Sequence, residues 1–108
     1  MDICFKNSGL RLTVELIGEL DHHAASGVGE RIDFEILRER PREVCIDFGH
    51  LDFMDSSGLA VIMGRRRTCL DIGATISVSN LHGSIRKVLL MSGLQKYVKI
   101  EENNYEKH

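Results

Sequence analysis

Leu10, Leu12, Val14 and Leu16 alternate with Arg11, Thr13 and Glu15. A period of two marks a strand with one buried face. Residues 3–6 read as a shorter strand ahead of it, and Asn7-Ser8-Gly9 between them is a turn signal, so an antiparallel hairpin is predicted. After Asp21-His22-His23 the period changes. Ala25, Val28, Ile32 and Ile36 share one side of a helix that Pro41 stops. Glu43 to Phe48, with Val-Cys-Ile-Asp-Phe at its centre, predicts a third strand in the middle of the sheet. A second helix starts near Ser56 or Ser57 and runs to about Cys69, Gly73 closes the connection, and Thr75 to Ser79 is a fourth strand. The third helix spans roughly His82 to Ser92, with Ile85, Val88 and Leu89 inward, and Gly93 stands where a left-handed cap precedes apolar Leu94. Tyr97 to Ile100 predicts a last strand, leaving 101–108 as a polar, frayed tail.

Strands that alternate with helices need crossover connections, so the fold class is α/β. The sheet is expected to be mixed and mostly parallel, opened by the N-terminal hairpin, with short helices mainly on one face. At 108 residues, 43% of them hydrophobic, the chain holds apolar material for one core, which places one domain over residues 1–100. A net charge of -2 argues against nucleic acid as the main partner. No run approaches the length of a membrane span, and Met1 to Lys6 lacks the layout of a signal peptide, so a cytoplasmic protein without a membrane partner is expected. Cys4, Cys45 and Cys69 are too far apart for a disulfide framework or a zinc site and read as buried, reduced thiols.

The most informative stretch is Leu51-Asp52-Phe53-Met54-Asp55-Ser56-Ser57-Gly58-Leu59-Ala60-Val61-Ile62-Met63-Gly64-Arg65, which joins the central strand to the second helix. In open sheets, sites collect at such junctions. One serine hydroxyl can cap the helix by accepting a backbone N–H, which frees the other to point outward. Capping alone would explain an Asp-Ser-Ser run. Against that, Leu59 to Met63 is apolar almost all round, more than one core-facing stripe needs. A phosphate here would also meet the positive end of a helix.

Phe53-Met54-Asp55-Ser56-Ser57-Gly58-Leu59 followed by Gly64-Arg65 resembles the phosphorylation motif of the SpoIIAA-type anti-sigma-factor antagonists. Gly18-Glu19-Leu20-Asp21-His22-His23, Met91-Ser92-Gly93-Leu94 and the opening hairpin match in the same order, so the resemblance covers the chain to about Ile100. It implies the STAS fold and a monomeric binding protein, not an enzyme, that needs no cofactor and no metal. The unphosphorylated form would bind an anti-sigma factor that is itself a serine kinase, releasing the sporulation sigma factor F. Phosphorylation of Ser56 would switch the protein off, and a phosphatase would restore it. The resemblance puts Asp21, His22, Met54, Asp55, Ser57, Gly58 and Arg65 at the partner-binding surface. A stress-response antagonist of a related kinase is the alternative within the family.

Other chemistry has less support. His22-His23 point in different directions and have no third ligand at metal spacing. A serine hydrolase needs a base and an oxyanion hole, and the motif is not Gly-x-Ser-x-Gly. Phosphate-binding glycine loops are absent from the sequence. Arg65-Arg66-Arg67 reads as a solvated helix face, and Met54 and Met91 suit either a core or an adaptable binding surface.

Overall fold

The computed structural model describes residues 1–102. Its elements are β1 (Asp2–Asn7), β2 (Arg11–Leu20), α1 (His22–Glu39), β3 (Glu43–Met54), α2 (Ser57–Ile72), β4 (Thr75–Ser79), α3 (Gly83–Met91), a 3₁₀ turn (Leu94–Lys96) and β5 (Lys99–Glu101). The hairpin turn forms because Asn7 Oδ1 accepts the Gly9 N–H at 3.1 Å and Gly9 takes φ +80°, a conformation glycine adopts without strain. Leu10 lies in this turn and is exposed, so the buried alternation begins at Leu12.

The sheet order is β1-β2-β3-β4-β5, with β1 antiparallel to β2 and every other pair parallel. Each parallel crossover steps one strand in the same direction. Right-handed connections then put every helix on one face. Burial agrees with this. Leu12, Val14, Leu16, Val44, Ile46, Phe48, Ile76 and Val78 form one core with Val28, Ile32 and Ile36 of α1, Val61, Ile62 and Cys69 of α2, and Ile85 and Leu89 of α3. The opposite face carries Thr13, Glu15, Glu43, Asp47, Thr75 and Lys99 and has no helical cover among the described residues. Such a half-covered sheet explains the clean alternation in β2.

Several boundaries and orientations differ from the sequence reading. β3 runs to Met54 instead of stopping at Phe48, because β2 also runs on to Leu20 and the two stay paired. Two register shifts, between Glu15 and Ile17 and between Gly18 and Glu19, break the simple alternation there. Val88, expected inward, is 42% exposed on α3. Cys4 is exposed on the edge strand, whereas Cys45 and Cys69 are buried, and burial pushes the Cys69 thiol up to about 11. Gly93 does take the left-handed conformation, at φ +81°, with Leu94 buried after it. Of the polar tail expected over 101–108, Glu101 belongs to β5, and the segment from 103 lies outside the described residues.

Candidate functional site

β2 and β3 are parallel neighbours, so their carboxyl ends finish side by side, and each leads directly into a helix. The N-termini of α1 and α2 therefore meet at one edge of the sheet, and residues 20–23 face residues 54–58. The Asp55 N–H donates to the Leu20 carbonyl at 3.2 Å, which carries the strand pairing up to the junction.

Two carboxylates organise this edge. Asp21 caps α1, with Oδ1 accepting the Ala24 N–H at 2.9 Å. Asp55 reaches both helices. Its Oδ1 accepts the Ser57 N–H at 2.8 Å, an Asx turn, and its Oδ2 accepts the His22 N–H at 3.0 Å. Neither helix has an acid in its first turn, so these residues just outside supply the negative charge that a helix start favours. Ser57, through its amide and then its hydroxyl, followed by the His22 amide and ring, holds the Asp55 carboxyl below the usual carboxylate range.

The capping role expected of a serine hydroxyl is thus taken by Asp55. Ser56 is the N-cap residue of α2 but has helical dihedrals (φ -61°, ψ -18°) instead of the extended ones from which a side chain reaches back to the helix amides. Its hydroxyl makes no capping bond, and the residue is exposed. Ser57 is half-buried, with Oγ 3.5 Å from His22 Nδ1.

The other predicted site residues lie beneath or beside this edge. Met54 is 7% exposed and belongs to the core. Gly58 is buried directly above it, and a Cβ at that position would collide with Met54 Cγ and Sδ. Met91, by contrast, is 82% exposed, so the two methionines divide between core and surface. Arg65 departs from the solvated face expected of the arginine run. It lies in the seam between α1 and α2, with Nε 2.8 Å from Asp33 Oδ1 and the guanidinium over Gly29, where any side chain would displace it. Arg66 donates to the Tyr97 carbonyl at 3.1 Å and stacks over that ring, so of the three arginines only Arg67 is exposed, 3.8 Å from Asp71 on the next turn. His22 is exposed at the start of α1. Phe53, which pattern reasoning did not select, is 48% exposed beside the junction. The register shifts that turn it outward have no local sequence signature.

The STAS-domain family profile matches residues 5–106 of this chain. An anti-sigma F factor antagonist of Paenibacillus polymyxa is 38% identical over 92 residues, covering 85% of this chain and 79% of that protein. The solved structure of the anti-sigma factor antagonist SpoIIAA in its unphosphorylated form superposes with a TM-score of 0.81 at 27% identity, covering 98% of this chain and 91% of the other. The phosphorylated form of SpoIIAA, described as a Bacillus cell fate determinant, gives 0.73 at 27% identity over 98% and 95%.

Proposed function

Since the chain belongs to the STAS-domain family, we propose that it is an anti-sigma-factor antagonist whose partner surface is the edge around Ser56. Its unphosphorylated form binds an anti-sigma factor that is also a serine kinase, and so frees the sporulation sigma factor F. Two curated relatives carry the name anti-sigma F factor antagonist, which favours this reading over a stress-response role. In the kinase complex Ser56 Oγ attacks the γ-phosphorus of ATP. The bond to ADP breaks, and the hydroxyl proton passes to a base of the kinase. A phosphatase that hydrolyses the phosphoserine restores the binding form.

One observation carries the site assignment. At the meeting point of two helix starts, Ser56 presents an exposed hydroxyl with no capping duty, while Asp55 does the capping. Phosphoserine adds about -1.5 to -2 charges. One unit charge ~6 Å from a like charge, at an effective dielectric of ~20, costs roughly 3 kcal/mol before screening. Every ~1.4 kcal/mol is tenfold in affinity, so a phosphate against an acidic partner group weakens binding by about a hundredfold or more. Half-buried Asp21 and the exposed His22 and Phe53 form the rest of this edge. Met54, Gly58 and Arg65 act from beneath by fixing β3, α2 and the helix seam. The test is to incubate the protein with the candidate kinase and ATP and to map the phosphate by mass spectrometry. One phosphate on Ser56, and none after Ser56→Ala, is expected; phosphate on Ser57 or Ser92 overturns the assignment.

A further inference from the structure

We propose that Asp55 is a positioning residue: one carboxylate ties the first amide of α1 to the first amide of α2, and by filling the anion seat there it keeps a phosphate on Ser56 outside the fold. The first half stands on geometry alone. The second half, and any effect on kinase turnover, rests on reading Ser56 as the acceptor.

His22 and Ser57 are the first residues of their helices, and their N–H groups are among the donors that a helix cannot satisfy internally. Both point at the same side chain, at 3.0 and 2.8 Å. A carboxylate has two oxygens that accept without rotating, so Asp55 can hold both amides at once; an asparagine offers one oxygen and must turn a donor toward the other amide. The bridge closes an edge that is otherwise joined by the strand pairing below it and by the longer Ser57 Oγ–His22 Nδ1 contact at 3.5 Å. Because the Ser57 amide is fixed relative to Asp55, the Ser56 between them is fixed as well. An incoming phosphate finds that amide already taken by an ionised group on the adjacent residue. Its charge is therefore displayed to the partner and not absorbed by the helix end. The titratable groups at this edge besides Asp55 are His22 on α1, whose charge reaches Asp55, and Asp21, whose carboxyl caps α1; the first turn of α2 offers only hydroxyl, amide and apolar groups.

The test needs no kinase for its first part. Backbone amide NMR spectra are followed from neutral to acid pH. The Ser57 and His22 amides are expected to move together, with one shared midpoint below the ordinary carboxylate range, and that transition is expected to vanish in Asp55→Asn. Two different midpoints, or none, would overturn the bridge. The same titration on Ser56→Glu, or on phosphorylated protein, is expected to keep the shared transition. Its loss would show that the added anion displaces Asp55 and would overturn the second half. Kinetics then read the positioning. Asp55→Asn is expected to lower kcat for Ser56 phosphorylation by about tenfold or more with little change in KM, since small misplacements of a reacting group are costly, while Asp52→Asn on the exposed strand edge leaves both unchanged. Equal kcat in the two variants would contradict a positioning role. Should wild-type protein take no phosphate on Ser56, the functional reading falls and the amide titrations still decide the bridge.

Discussion

Asp55 and Glu101 are both carboxylates held below their ordinary range, one at the helix-bearing edge and one on the bare sheet face, and they are held by different kinds of donor. Asp55 accepts from two backbone amides, so its partners are fixed wherever β2 and β3 run in register. Glu101 is held chiefly by Arg11, whose guanidinium grips it at 2.7 and 3.0 Å from β2, across the two intervening strands, with Ser77 adding a hydroxyl at 3.2 Å. Cys45 and Ser77 lie buried beneath that strap. The first arrangement leaves a neighbouring hydroxyl free and exposed. The second uses every group to cover a polar face. A carboxylate bound by main chain organises a site, and one bound by side chains closes a surface.

Charge substitution separates the two regions most sharply. Ser56→Asp is expected to weaken binding of the anti-sigma kinase by about a hundredfold, as measured by titration calorimetry, with little change in melting temperature. Arg11→Met is expected to leave that affinity unchanged; equal losses in both variants would erase the distinction. Packing under the junction comes next. Gly58→Val forces a side chain into Met54 and is expected to cost about 1–3 kcal/mol. At roughly 4–8 °C per kcal/mol for a domain of this size, calorimetry would detect it easily. Gly64→Ala, where an added Cβ meets nothing within 4 Å, is expected to stabilise α2 by about 0.5–1 kcal/mol. On the bare face Arg11→Met removes a half-exposed ion pair and is expected to cost up to about 1 kcal/mol by urea unfolding.

The smallest effect is in pH. A carboxyl whose folded pKa lies below its unfolded value contributes stability that is complete above about pH 4 and is lost as pH falls through the folded value. Asp55 and Glu101 both act in this direction. In acid urea titrations the gap between wild type and Arg11→Met is therefore expected to narrow as Glu101 protonates, whereas Arg11 itself stays charged throughout. A gap that widens toward low pH would contradict the assignment of Glu101 to Arg11.

Most of this architecture was legible from local pattern. The alternation from Leu12 to Leu16, the helical stripe at Val28, Ile32 and Ile36, and the stops at Pro41, Gly73 and Gly93 each depend on neighbours within a turn or two. The junction was legible as a place for the same reason, since Asp-Ser-Ser-Gly follows a strand and opens a helix. Its internal division of labour was not. Whether a serine or Asp55 caps α2 depends on Ser56 dihedrals set by the last pairing of β3 with β2. The inward turn of Arg65 depends on Gly29, a helix away, and the strap on the bare face joins residues at opposite ends of the chain. The extension of β3 to Met54 follows from its pairing with β2 up to Leu20, and the exposure of Phe53 from register shifts that add residues to β3 and that no periodicity reveals.

On the proposed function, phosphorylation of Ser56 changes the surface and not the fold. The direct measurement compares unphosphorylated protein with protein stoichiometrically phosphorylated on Ser56, titrating each into the anti-sigma kinase and recording each melting curve. Affinity reduced about a hundredfold with a melting temperature within a few degrees is the predicted result. Equal affinity in the two forms, or a phosphorylated form that no longer unfolds cooperatively, would contradict it.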